Sequence, residues 1–223
     1  MDRRKIPIPD KNNVMQTPFI ITLALLLTSC GVTTFQVYAF DLTEVKNPNV
    51  VDVKNLDKDS TGRYYYEDSI IKIVWEPDNR QFKFWLTNKS DESIQIPWDN
   101  ASYVDYEGKA ARVIHSGVNY MNRYDSQPPM TVPSGSTLFD MLVPVENIYY
   151  DPGTGWESRQ IIPTILVNAW TRSGLSKVRA VCPQYLGRDI AFLLPIVVKS
   201  IRNDYLFTFH INHIPIDSGT IME

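Results

Sequence analysis

From Ser69 onward, apolar and polar residues alternate with a period of two, and no long segment carries a helical period. Successive side chains of a strand point to opposite faces, so this alternation suits a sheet with one buried face. Ile71, Ile73 and Trp75 fall on one face, with Lys72 and Glu76 on the other. After a turn at Pro77-Asp78-Asn79, Phe82, Phe84 and Leu86 alternate with Gln81, Lys83, Trp85 and Thr87. That is a β-hairpin pattern. Further strands are expected at Ser93–Ile96 and Thr137–Val143. Ala101–Tyr106 and Lys109–His115 flank Glu107-Gly108, a two-residue link suited to a tight turn. Ala191–Val198 and Tyr205–Asn212 form a closing pair with a turn at Ser200–Asn203. In the last strand Tyr205, Phe207, Phe209 and Ile211 share one face.

Short strands separated by frequent turn signals imply an all-β fold, an antiparallel β-sandwich, with a small β-barrel as the alternative. The stretch Phe84-Trp85-Leu86-Thr87-Asn88-Lys89-Ser90, followed by Ile94-Gln95-Ile96-Pro97-Trp98, is similar to Ig-like domains of bacterial lipoproteins. That resemblance implies an Ig-like sandwich over residues 49–216. Residues 170–186 read as a short helix or a long loop, and 217–223 as a polar tail.

The N-terminal segment has a different character. The basic cluster Arg3-Arg4-Lys5 precedes the apolar run Phe19–Leu27. A helix over that run spans only about 14 Å, far short of the roughly 30 Å hydrocarbon core of a bilayer. It fits the h-region of a secretory signal. The closing residues Leu27-Thr28-Ser29-Cys30 resemble the lipobox of bacterial lipoproteins. The resemblance implies removal of residues 1–29, acylation of Cys30, a tether over residues 30–48, and a membrane contact made through the lipid anchor. Two or three acyl chains give durable attachment, at about 0.8 kcal/mol per buried methylene. Gly31, where enteric lipoproteins retained in the inner membrane carry Asp, implies the outer membrane, with the domain facing the periplasm.

Charge and cysteine content narrow the chemistry. Residues 1–29 hold four basic and two acidic side chains, so the remaining chain has a net charge of −5. Nucleic-acid binding needs a basic footprint, and none is expected here. With Cys30 acylated, Cys182 has no disulfide partner and reads as a small buried hydrophobe. No nucleophile elbow, zinc-protease motif or phosphate-binding glycine loop is present, so no catalytic residue and no cofactor is expected. Asp57, Asp59, Thr61 and Asp68, with Gly62 between them, resemble the ligand spacing of an EF-hand calcium loop. Thr61 and Asp68 depart from it, standing where Asp or Asn and a longer Glu are usual. His210 and His213 lie three apart, so in a strand their rings point to opposite faces.

Tyrosine and tryptophan supply large apolar area with a hydrogen-bonding tip, and both are enriched at recognition surfaces. Tyr120 and Tyr124 in the loop 116–130, with Tyr149, Tyr150 and Trp156, are therefore the candidate partner-binding residues. The expected role is an accessory or interaction module of a bacterial envelope assembly, binding another envelope protein. A small-ligand or glycan binder is the alternative, and an envelope hydrolase is a third reading.

Overall fold

The computed structural model describes residues 40–49, 54–163, 165–167 and 180–212, with the short pieces 33–35, 176, 214–215 and 221–222. Leu27, Thr28, Ser29, Cys30, His213 and the segment Val50–Val53, whose valines suit one strand, lie outside them.

The strands run in chain order as β1 (Phe40–Lys46), β2 (Lys54–Lys58), β3 (Tyr64–Glu67), β4 (Ile71–Pro77), β5 (Phe82–Asn88), β6 (Ile94–Ile96) and β7 (Ser102–Val104). There follow β8 (Ala110–Ile114), β9 (Met130–Val132), β10 (Thr137–Pro144), β11 (Ile148–Asp151), β12 (Gly155–Ser158), β13 (Asp189–Val198) and β14 (Ile201–Ile211). All but β11 and β12, which pair with each other, belong to one antiparallel sheet of twelve strands. Its order is β1-β14-β13-β7-β8-β10-β5-β4-β3-β2, with β6 beside the far end of β13 and β9 beyond β6. The fold is thus all-β and antiparallel, as the alternation implies.

The sheet folds over on itself. Trp75 of β4, fully buried, lies 5.1 Å and 5.4 Å from the rings of Phe207 and Phe209 on β14. Phe82 of β5 lies 4.7 Å from Phe192 of β13. These contacts join strands far apart in the sheet order, so one aromatic core is shared by both halves. Truncating any one of these rings to Ala costs about 3–5 kcal/mol. The terminal strands β1 and β2 share no ladder, but Lys58 and Asp41 form an ion pair of 3.8 Å between them. The architecture is therefore a two-layered sheet nearly closed into a barrel.

Four expectations need correction. The tether stops short of residue 48, because Phe40–Lys46 is β1, paired along β14 with Phe40 and Leu42 buried. A register shift at Thr208/Phe209 brings Val45, not Glu44, against the core, which breaks the two-residue period that would have exposed the strand. The turn expected at Ser200–Asn203 is the two-residue link Lys199-Ser200, since Val198 pairs with Ile201. Both linking residues have positive φ, +47° and +69°, a conformation usually filled by Gly or Asn. The link between β7 and β8 spans five residues, 105–109, because Val104 pairs with Ala110. Asp105 Oδ1 accepts the N–H groups of Glu107 and Lys109, and Gly108 takes φ +83°. Finally, Ile221–Met222 of the expected polar tail pairs with Ile214–Pro215.

Candidate functional site

The loop 116–130 is pinned at both ends by carboxylates. At its start, Asp140 Oδ1 accepts the N–H groups of Ser116 and Met141 at 2.7 Å and 2.8 Å. Asp140 Oδ2 meets Nδ1 of His115 at 3.1 Å, and the His115 ring stacks on Trp98 at 4.3 Å. At its end, Asp99 accepts the hydroxyl of Ser126 at 2.5 Å and the N–H of Gln127 at 3.0 Å. The Ser126 hydroxyl, then the Gln127 N–H, hold the Asp99 carboxyl below the ordinary carboxylate range, and the Arg112 guanidinium reinforces them. Arg112 also donates to the carbonyls of Tyr124 and Asp125 at 2.8 Å and 2.9 Å.

Held this way, the loop delivers Arg123 to the hairpin β11–β12. The Arg123 guanidinium lies 4.6 Å from the Tyr124 ring centre and 4.7 Å from that of Trp156. It also donates to the Tyr120 carbonyl at 3.1 Å. Trp156 in turn meets Tyr150, its cross-strand partner, edge-to-face at 5.5 Å. Beneath them Tyr120 and Trp156 pack on a second apolar cluster of Ile114, Val143, Val145 and Ile148. The outer surface exposes Met121, Tyr124 and Tyr150 at 64%, 59% and 58%. Four of the five candidate residues thus form one aromatic patch with an arginine at its centre.

Tyr149 is separated from them. Adjacent strand residues face opposite ways, so Tyr149 turns away from Tyr150, donates to Glu157 at 3.2 Å and carries the Arg159 guanidinium 4.9 Å over its ring. It lines a different recess, with Arg80 and Arg159. Arg112, Asp99 and Arg123, which assemble the patch, escaped the sequence reading. Their charges look like ordinary loop polarity, and only their partners give them a role.

The calcium reading fails on geometry. Asp59 Oδ1 already accepts the N–H and hydroxyl of Thr61 and the N–H of Arg63, while Oδ2 meets the Arg63 guanidinium at 2.8 Å. The hydroxyl bond from Thr61 leads in holding its pKa well below the usual range. Asp57 Oδ1 accepts the Lys58 N–H, and Asp68 lies in the core, 2% exposed. The four are a self-contained turn and a core carboxylate. Among the described residues no three His, Cys, Asp or Glu side chains gather as a metal site. His210 pairs with Asp189 at 2.6 Å on the sheet surface.

No known protein family matches the sequence, and no curated protein or solved structure resembles it significantly.

Proposed function

We propose that the chain is a lipid-anchored protein of the bacterial envelope that docks another envelope protein through the patch around Arg123. The observation that carries the docking surface is the convergence of Tyr120, Met121, Arg123, Tyr124, Tyr150 and Trp156 from two separate segments. Tyr, Trp and Arg dominate the energetic centres of protein interfaces, because they bury large area and still satisfy polar groups. An exposed apolar surface of this composition in a folded domain marks a binding site. The partner surface it fits is apolar, with a carboxylate placed to meet the Arg123 guanidinium. The anchor rests on the order basic cluster, short apolar run, Leu27-Thr28-Ser29-Cys30.

The test uses the chain expressed in its own host, wild type beside Cys30→Ala, with a photo-crosslinking side chain at Tyr124 or, as control, at Thr61. Wild type should lose residues 1–29, gain acyl mass and partition with detergent, while Cys30→Ala should not. One protein should crosslink from position 124 and not from 61, and the band should vanish in Tyr150→Ser/Trp156→Ser. An unprocessed, unacylated chain overturns the anchor. Equal crosslinking from both positions overturns the patch.

A further inference from the structure

Ten of the described Lys and Arg side chains lie within 4 Å of a carboxylate. Arg80, Arg123, Arg159 and Arg188 have no such partner among the described residues, and of these Arg80 and Arg159 line one recess of about 380 Å³ together with Tyr149 and Ser158. Two short backbone bonds bring them there. Arg159 donates its N–H to the Asn147 carbonyl at 2.6 Å, and Ile161 donates to the Asn79 carbonyl at 2.6 Å. The segment between them is thereby fixed against the β4–β5 turn that carries Arg80. Two like charges set on one recess, in a chain of net charge −3, are a local arrangement rather than a general basic surface.

A larger cavity adjoins the recess, and Gln160 and Pro163 line both. That cavity, about 480 Å³, is lined by Tyr106, the buried Tyr103, Asp105, Lys109, Glu146 and Asn147. Asn147 Nδ2 is buried beside it without a hydrogen-bond partner among the described residues.

We propose that this groove binds an acidic saccharide, with its carboxylate between Arg80 and Arg159 and its sugar rings along the tyrosine and amide walls. Guanidinium groups match a carboxylate in planar, two-pronged hydrogen bonds. Flat rings flanked by amides and carboxylates suit a pyranose, whose faces are apolar and whose rim is a ring of hydroxyls. This site is separate from the partner-docking patch, because the hairpin β11–β12 turns Tyr150 to one and Tyr149 to the other.

The test is calorimetric titration of the full chain with a disaccharide containing one uronic acid. Parallel titrations use the same disaccharide with its carboxylate reduced to an alcohol, inorganic phosphate, and an acidic tetrapeptide. The uronic disaccharide should bind, and the neutral one should bind at least about tenfold more weakly. Arg80→Gln and Arg159→Gln, both at exposed positions, should each lower affinity about tenfold or more, with unchanged melting temperature. Asn147→Leu should weaken both sugars alike. Equal binding of the neutral disaccharide overturns the proposal, as does binding of phosphate or the acidic peptide as tightly as the uronic sugar. Crosslinking from position 124 should be unaffected by Arg80→Gln, so failure of either site can be told from failure of the other.

Discussion

The phenol of Tyr205 donates to Oδ2 of Asp68 at 2.8 Å, although 137 positions of chain separate the two residues. Tyr66 donates to the same oxygen at 3.0 Å, and Oδ1 accepts the N–H groups of Ile70 and Ile71. A single buried carboxylate thus ties the turn between β3 and β4 to β14 across the core. Replacing Asp68 by Ala strands four donors at about 1–3 kcal/mol for each one left buried. Asp68→Ala should therefore lose about 3 kcal/mol or more in urea unfolding, and Tyr205→Phe about 1–2 kcal/mol. A loss under about 1 kcal/mol for Asp68→Ala would show that water replaces the carboxylate.

The same tyrosines set an alkaline limit. Burial first, then the charge of Asp68, pushes the phenols of Tyr66 and Tyr205 far above the ordinary value, and burial raises Tyr103 likewise. A raised folded pKa means the folded state holds its proton more tightly than the unfolded chain. Their contribution is intact below the unfolded phenol value of about 10, and it is lost as pH climbs above that. Absorbance at the phenolate band should show these three ionising only together with unfolding. Titration of all twelve tyrosines near pH 10 in the folded state would contradict the burial of these three.

Acid should act on the loop 116–130. Asp99 holds Ser126 and Gln127 as a carboxylate, and its depressed pKa means the contribution is complete above the ordinary value of about 4. It is lost as pH falls through the depressed value. The amide resonances of Ser126 and Gln127 should hold their positions from pH 7 to about 4, then move at lower pH. In Asp99→Asn they should start displaced and stay flat.

Arg123→Ala should release the loop from the hairpin. The guanidinium bridges Tyr124 and Trp156, and a partly desolvated cation–π contact contributes about 0.5–2 kcal/mol. The fold should survive, because Arg123 lies outside the main core. Trp156 fluorescence should shift to the red and partner crosslinking from position 124 should fall. An unshifted spectrum would mean that the apolar cluster under Trp156 holds the patch alone.

The turn between β13 and β14 offers a gain of stability. Lys199 and Ser200 both sit at positive φ, where a side chain costs about 1–2 kcal/mol and Gly costs nothing. Ser200→Gly should raise stability by about 1 kcal/mol at most, since glycine also gains entropy in the unfolded chain. Ser200→Val should lower it. Equal melting temperatures for Gly and Val would argue against the two-residue turn.

The sequence by itself determined the class of fold and most of the core. Ile71, Ile73, Trp75, Phe82, Phe84, Leu86, Phe207 and Phe209 are all buried as their alternation requires, because strand periodicity is a local property of the backbone. By chemistry alone it singled out Tyr120, Tyr124, Tyr149, Tyr150 and Trp156 as candidates, and the fold brings all but Tyr149 into one patch. It could not place β1, since a register shift opposite Phe209 breaks the alternation from outside the segment. Nor could it tell that Asp68, in a spacing suited to calcium, serves two buried tyrosines. Only the tertiary structure decided these. A hydrogen bond or a cation–π contact depends on distance in space, and residues such as Arg123 and Trp156 carry no local pattern that links them.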